Sequence, residues 1–246
     1  MGSTRLPGKA MVPIFDGKGA LELMITRMRR ATSLDGLIVA TTTLPEDDVV
    51  ADLCDSLGTP CFRGDAADVL DRFYRCADFF GARDVLVRLT GDCPLHDPEV
   101  IDTVVRFFQK GAFDYAANTH PPTFPDGLDT EVFSFAALQT AWRDATTRTE
   151  REHVTYHLYT HPEKFKIGNL ERSDDLSGMR WTLDEAVDLA FIREVYRRLG
   201  RGNAGLVEVL ALLREFPELQ TINQHVGRNE GLAKSLAAER IKGNSA

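Results

Sequence analysis

Between Ala20 and Asn118, short unbroken apolar runs alternate with stretches that repeat apolar residues at helical spacing, and few folds accommodate that order. Leu37-Ile38-Val39-Ala40 is apolar throughout, as expected of a strand covered on both faces of a parallel sheet. A helical pattern over Asp47–Leu57 follows, then a short run at Pro60-Cys61-Phe62. Ala66–Phe80 reads as a helix with Val69, Leu70, Phe73, Ala77 and Phe80 on one side. Val85-Leu86-Val87-Arg88-Leu89 is the plainest strand, Pro98–Lys110 a further helix and Asp114–Asn118 a further strand. This alternation predicts right-handed βαβ units in a doubly wound α/β sheet. Ligands of such sheets lie outside the carboxyl ends of the strands, which singles out the loops after Ala40, Phe62, Leu89 and Tyr115.

Past His120 the pattern changes. Pro121 to Gly127 is too rich in proline to be helix or strand, so it reads as a turn-rich loop. Strands are expected at Asp129–Phe133 and Phe165–Leu170, and helices at Phe135–Ala145, Thr149–His161, Ala186–Leu199 and Leu206–Phe216. Arg180–Glu185 reads as the end of a strand. We expect one domain over residues 1–227, with a half at 1–118, a lobe at 119–200 and a helical region at 206–227. A polar tail, 228–246, follows.

A net charge of −8 and a pI near 5.3 argue against non-specific attraction to nucleic acid or to an anionic membrane. The longest apolar run, near Leu206–Leu213, is too short to span a bilayer, and no charged-then-apolar leader opens the chain. Cys54, Cys61, Cys76 and Cys93 form no C-x-x-C pair. A reduced, cytoplasmic protein is expected.

The chemistry is concentrated in two kinds of position. The opening loop, Met1-Gly2-Ser3-Thr4-Arg5-Leu6-Pro7-Gly8-Lys9, combines two glycines, two hydroxyls and two cations, a composition suited to cradling phosphate oxygens. It reads equally well as a flexible, solvated terminus. It is not a Walker A loop, because Ala10 stands where the metal-binding Ser/Thr is required. A phosphate loop of this fold should follow a first strand, so coding sequence upstream of Met1 is expected. The other positions are Asp92, in a Gly-Asp-x-Pro turn directly after a strand, and Asp184, in Thr-Leu-Asp-Glu. Two carboxylates at strand ends suit a shared Mg²⁺, and each also suits a helix N-cap.

The ordered set of Gly2–Lys9, Phe62-Arg63-Gly64 with Asp68–Arg72, Thr90–Pro94, Pro125-Asp126-Gly127-Leu128-Asp129, Arg151-Glu152-His153-Val154 and Thr182–Glu185 resembles the cytidylyltransferase family. That family includes spore-coat-polysaccharide cytidylyltransferases, with 3-deoxy-manno-octulosonate and acylneuraminate cytidylyltransferases as relatives. The likeness runs from Met1 to about Leu236. Members carry a short apolar strand ending in Gln-Ala-Arg ahead of the equivalent of Met1. The resemblance implies a three-layer, mostly parallel Rossmann-like sheet of the nucleotide-diphospho-sugar transferase type, with a smaller second lobe.

It also implies a reaction, in which a sugar oxygen attacks the α-phosphorus of CTP to give a CMP-sugar and pyrophosphate. Gly2, Ser3, Thr4, Arg5 and Lys9 would bind the nucleotide. Arg5 and Lys9 would hold the β- and γ-phosphates, and Arg72 would add a contact or remain a solvated helix charge. Asp92 and Asp184 would hold Mg²⁺, and Arg5, Lys9 and Asp92 would carry the catalysis. Asp126, Asp129 and Glu131 fall where relatives admit their sugar, and carboxylates accept sugar hydroxyls well. Arg151 and His153 would meet a substrate carboxylate or phosphate. Relatives often pair as homodimers.

Three rival readings draw on the same residues. His153, His157 and His161 share one side of a helix at four-residue spacing, which a transition-metal site can use, but no further ligand is evident and structural histidines are favoured. A nucleotide-sugar-dependent glycosyltransferase would present Asp-x-Asp at a strand end, and Gly91-Asp92-Cys93 lacks it. A catalytically silent nucleotide-sugar-binding or scaffold protein needs neither metal carboxylate nor loop cation, and all four are present, whereas the missing first strand favours it.

Overall fold

The computed structural model describes residues 5–228 and 230–243. Its first element is a hairpin, β1 (Pro13–Phe15) and β2 (Lys18–Gly19), closed by Asp16 and Gly17 with φ of 51° and 73°. Positive φ at both central residues is what a type I′ turn requires, and Asp-Gly provides it. Helix α1 (Ala20–Met28) follows at once, and its Leu21 amide donates to Ala10 O at 2.9 Å. The opening loop therefore sits on the amino end of this helix.

Next come β3 (Val39–Thr42), α2 (Asp48–Ser56), β4 (Cys61–Gly64), α3 (Val69–Phe79), β5 (Val85–Arg88), α4 (Pro98–Gly111) and β6 (Tyr115–Ala117). This is the expected α/β alternation, with strand bounds shifted by one or two residues. Beyond it lie β7 (Glu131–Ser134), α5 (Phe135–Asp144), α6 (Arg148–Glu152), α7 (Tyr156–Thr160), β8 (Ile167–Asn169), α8 (Ala186–Leu199), α9 (Leu206–Glu215) and α10 (Glu230–Gly243).

Pairing is mixed rather than mostly parallel. β3 and β4 form one parallel pair; a second sheet has the order β5-β7-β6-β8. β6 and β8 are parallel, but β7 is antiparallel to both its neighbours. The cause is the Pro121–Gly127 excursion. It returns the chain without a crossover helix, so the next strand enters from the opposite end.

Alternate residues of the sheet serve opposite layers. Ala116 and Val132 join Met24, Met28, Ile101, Val105, Ile192 and Val209 in a core beneath α1, α4, α8 and α9. Tyr115, Ala117 and Phe133 join Leu70, Ala77, Leu138 and Leu158 beneath α3, α5 and α7. Each fully buried aliphatic chain contributes roughly 2 kcal/mol. A third, smaller cluster of Leu21, Ile25, Val50 and Cys54 lies under β3 and β4.

Buried polar groups fix how the layers meet. Arg27, 1% exposed, donates to four carbonyls: His96 O (2.8 Å), Leu95 O (3.2 Å), Gly202 O (2.8 Å) and Ala204 O (2.6 Å). The helix expected over Thr149–His161 is two short ones, because His153 at φ −109° and ψ 87° leaves helical geometry. A Thr147/Glu150 capping box starts α6, and Thr155, between the two, turns its hydroxyl inward to Glu131. The strand expected to end near Arg180–Glu185 is reduced to a single bridge between Asp126 and Arg180.

Candidate active site

The Gly-Asp-x-Pro turn after β5 is bound to the Thr182–Glu185 segment by its backbone: Leu183 N donates to Asp92 O at 2.8 Å. That bond brings the side chains of Asp92 and Asp184 to one place. Between them stands Lys9, whose Nζ lies 2.6 Å from Asp92 Oδ2 and 2.7 Å from Asp184 Oδ1. Arg5 adds a guanidinium 3.0 Å from the same Asp184 oxygen and 3.8 Å from Glu185. Three segments far apart in sequence thus meet at one partly exposed point. Gly2, Ser3 and Thr4 lie outside the described residues.

Each charge is set by its neighbours. Burial opposes the ammonium of Lys9, but the fields and hydrogen bonds of Asp92 and Asp184 outweigh it and raise its pKa. Burial likewise works against ionised Asp184, and Lys9, Arg5 and Arg180 overcome it, so its carboxyl is held below the usual range.

Arg180 extends the site inward and is the residue that sequence reasoning missed. Its side chain is 5% exposed and touches three carboxylates: Asp184 Oδ2 at 3.0 Å, Asp126 Oδ2 at 3.0 Å, and both oxygens of Asp188 at 2.9 and 3.0 Å. Asp188 is fully buried and also accepts from the amides of Asp184 (3.0 Å) and Glu185 (2.9 Å) and from Asn223 Nδ2 (2.9 Å). Asp188 therefore fixes the Asp184 backbone while Arg180 fixes its outer oxygen. Asp184 Oδ1 is left facing Lys9.

Asp126 and Asp129 lie on the far side of Arg180. Gly127 between them has φ of 107°, and a Cβ there would come within 2.7 Å of Trp181 C. Only glycine lets the Pro125–Asp129 loop lie this close to the Trp181–Thr182 backbone. Arg228 hydrogen-bonds Asp129, approaches Asp126 at 4.0 Å and donates to Phe124 O at 3.1 Å. Burial raises the pKa of Asp126 despite Arg228 and Arg180. Asp129 is pushed up to about 7: burial dominates, Arg228 opposes it, and Asp126 and Glu131 reinforce it.

The remaining candidates are placed elsewhere. Glu131 is buried, with its carboxylate engaged by Arg88, Tyr115 Oη (2.7 Å) and Thr155. Arg72 packs over Gly64 and donates to Asp65 O at 2.6 Å, while its Nε is buried with no partner among the described residues. Arg151 lies 3.6 Å from Asp68, the N-cap of α3, and His153 Nε2 is 3.1 Å from Ser235 Oγ on α10. The structure thus brings Arg5, Lys9, Asp92, Asp184, Asp126 and Asp129 into one charged network, and leaves Arg72, Glu131, Arg151 and His153 outside it.

The histidine row divides. His153 turns to α10, whereas His157 and His161 stack with ring centroids 4.1 Å apart, and His157 Nδ1 is 2.6 Å from Glu150. Ligand atoms of Glu150, His157 and His161 lie within 4.8 Å of one another. Glu150 is already committed, accepting from the amides of Thr146 and Thr147 as well.

Comparison with known proteins gives the class. The sequence profile described as cytidylyltransferase matches residues 1–199, and the chain belongs to that family of nucleotidyltransferases. It is 38% identical over 227 residues to an uncharacterized protein of Methanocaldococcus jannaschii, covering 92% of this chain and 91% of that one. It is 31% identical over 231 residues to the spore coat polysaccharide biosynthesis protein SpsF of Bacillus subtilis, covering 90% and 93%. A solved cytidylyltransferase from Leptospira borgpetersenii superposes with a TM-score of 0.85 at 29% identity, over 92% of this chain and 94% of that one. The Rossmann-like α/β fold expected from the sequence is the fold of these enzymes.

Proposed function

We propose that this enzyme transfers CMP from CTP to a sugar with the help of Mg²⁺, releasing pyrophosphate. One observation carries the reading: Lys9 and Arg5 from the opening loop meet Asp92 and Asp184 at a single point. Phosphoryl transfer asks mainly for positioning and charge neutralisation, and this cluster supplies cations for phosphate oxygens and carboxylates for a metal.

The donor set fits Mg²⁺. Two carboxylate oxygens from separate segments already converge on one cationic nitrogen, and Mg²⁺ favours one or two carboxylates with phosphates and water completing its shell. Asp92 and Asp184 would hold it, and its chemistry would be charge neutralisation at the α-phosphate. Lys9, whose ammonium now pairs with both carboxylates, would with Arg5 hold the β- and γ-phosphates. Arg180 and Asp188 hold Asp184 in place, as positioning residues. Arg72, with its unpartnered Nε near the end of β4, is the further nucleotide contact.

Asp126 and Asp129 lie on the same network and offer acceptors to sugar hydroxyls. The acceptor in this reading is an acidic or amino sugar of surface polysaccharide; the Bacillus subtilis relative is a spore coat polysaccharide biosynthesis protein. We place the enzyme in the cytoplasm, where CTP is available, as a homodimer, with no nucleic-acid or membrane partner. No described helix is long and apolar enough to cross a membrane.

The test is pyrophosphate release from CTP and Mg²⁺ over a panel of acidic and amino sugars. The reading expects release that requires CTP, Mg²⁺ and one sugar class, and that is lost in Asp92→Asn. Equal release without sugar, or full activity in Asp92→Asn, would sink it.

A further inference from the structure

One helical turn separates His157, inside α7, from His161, which caps its carboxyl end. The two rings stack with centroids 4.1 Å apart, and α6 brings the carboxylate of Glu150 to 2.6 Å from His157 Nδ1. One donor atom from each of the three residues lies within 4.8 Å of the other two. The third donor, which four-residue spacing alone does not reveal, thus comes from the preceding helix.

Glu150 is held for this position. The amides of Thr146 and Thr147 both donate to its Oε2 at 2.9 Å, and Oε1 is left to face His157.

The proton positions follow from the partners. A carboxylate only accepts, so His157 donates through Nδ1 and carries its lone pair on Nε2. That Nε2 is buried without a hydrogen-bond partner among the described residues, in a residue 2% exposed. His161 Nδ1 lies 2.9 Å from the carbonyl oxygen of His157, which also only accepts, so its lone pair too is on Nε2. Each imidazole therefore has its donor nitrogen engaged and a lone pair left to offer. Metal-bound histidines are held in this way, with one ring nitrogen donating to a carboxylate or carbonyl and the other on the metal. As a purely structural pair, His157 would leave a buried acceptor unmade, a penalty that a bound cation removes.

We propose that Glu150, His157 and His161 form a binding site for a cation of the Zn²⁺ class. The imidazoles supply their Nε2 lone pairs, Glu150 supplies negative charge and orients His157, and water completes the shell on the half-buried side at His161. Imidazole nitrogen suits Zn²⁺ and other transition cations, whereas Mg²⁺ keeps to oxygen, so the site is chemically distinct from the Asp92–Asp184 pair. An occupied site ties α6 to α7 across the break at His153, next to the residue that turns its hydroxyl to Glu131, Thr155. It shares no residue with the proposed chemistry of CMP transfer and is tested without substrate.

The experiment is calorimetric titration of Zn²⁺ into the chelator-stripped full chain in millimolar Mg²⁺, beside NMR of the ring nitrogens of its six histidines. A single Zn²⁺ per chain is expected, with a raised melting temperature and with shifts at Nε2 of His157 and His161. Losing even an outer-shell partner of a metal-bound histidine costs about 10–100-fold in affinity, so His161→Ala should weaken Zn²⁺ by at least ~100-fold. Without Zn²⁺ this variant should melt like the parent; if it folds poorly, the ring spectra of the unaltered chain decide. Absence of Zn²⁺ binding would overturn the proposal, as would unchanged affinity in folded His161→Ala. Shifts confined to other histidines would do the same. Loss of Zn²⁺ in Asp184→Asn but not in His161→Ala would place the cation among the loop carboxylates instead, and the proposal would fall.

Discussion

Lys9→Met removes the cation that bridges Asp92 and Asp184, and its consequences run in opposite directions. Two ion pairs at 2.6 and 2.7 Å are lost, with side-chain exposures of 21% for Lys9, 23% for Asp92 and 16% for Asp184. Exposed pairs are worth about 0–1 kcal/mol, and breaking a buried pair costs about 3–5 kcal/mol. This partly buried cluster falls between them, at about 2 kcal/mol, so the metal-free variant should be less stable by roughly that amount. On the proposed reading, the same interaction is what Mg²⁺ would have to displace to reach the two carboxylates. At 1.4 kcal/mol per decade, Lys9→Met should bind Mg²⁺ roughly 30-fold more tightly when no nucleotide is present. Turnover should nevertheless fall, by about 10²–10³-fold, because a preorganised cation for the departing pyrophosphate is gone. Calorimetric Mg²⁺ titration of nucleotide-free protein measures the first effect, and initial rates of pyrophosphate release measure the second. Lys9→Arg, which keeps the charge, serves as control. Mg²⁺ affinity that stays flat or weakens in Lys9→Met would refute the idea that ammonium and metal compete for the same oxygens.

Further outcomes follow from the network around that point. Arg180→Met strands the buried carboxylate of Asp188 and should cost about 3–5 kcal/mol in urea unfolding, with Mg²⁺ restoring little of it. Gly127→Ala forces an unfavourable φ and a 2.7 Å contact with the Trp181 backbone, so a loss of at least ~2 kcal/mol is expected; unchanged melting would show that the loop relaxes freely. Asp129 has its folded pKa raised to about 7, so between the ordinary carboxylate range and pH 7 the folded state holds a proton that the unfolded chain releases. Stability from this group therefore falls as pH rises through that window. His96, wholly buried and held down to about 4 by burial, acts in the opposite sense: its contribution is present above the ordinary histidine value and is lost as pH falls toward 4. The two slopes offset each other, so Asp129→Asn should become more acid-sensitive than the parent in melts between pH 4.5 and 7.5. A variant whose profile parallels the parent's would show that neither group titrates in the range.

What could be read from the sequence was whatever is written locally. Continuous apolar runs and helical periodicity gave β3 through β6, because burial on both faces of a strand or one face of a helix marks each residue in turn. The motifs gave Asp92 and Asp184, each positioned by its own turn. The Asp16-Gly17 hairpin carried a local signal that went unread. The antiparallel entry of β7 had none, since the direction of a returning strand is decided by the path of the Pro121–Gly127 loop. Arg180 and Arg228 were overlooked for a related reason: Asp126 lies 54 residues from Arg180 and Asp129 lies 99 from Arg228. Although Asp184 and Asp188 follow Arg180 by four and eight residues, that spacing alone does not say that the three are buried together. Helix α10 lacks an apolar stripe, so it read as tail. It is held instead by polar contacts such as Glu239 to the Thr149 amide at 2.6 Å.

The buried fan of hydrogen bonds around Arg27 makes α1 a ruler. One end of this helix supports the loop that carries Lys9; the other is tied to the carbonyls of Leu95 and His96, a few residues beyond Asp92. The spacing between the loop cation and the metal-side carboxylate is thus measured by a rigid rod anchored at both ends, and the chemistry inherits its tolerance from a residue that never meets a substrate. A lysine in that position keeps the charge, but its single nitrogen has three donors and cannot satisfy four carbonyls. Such a protein would keep Lys9 and Asp92 and hold them at the wrong separation.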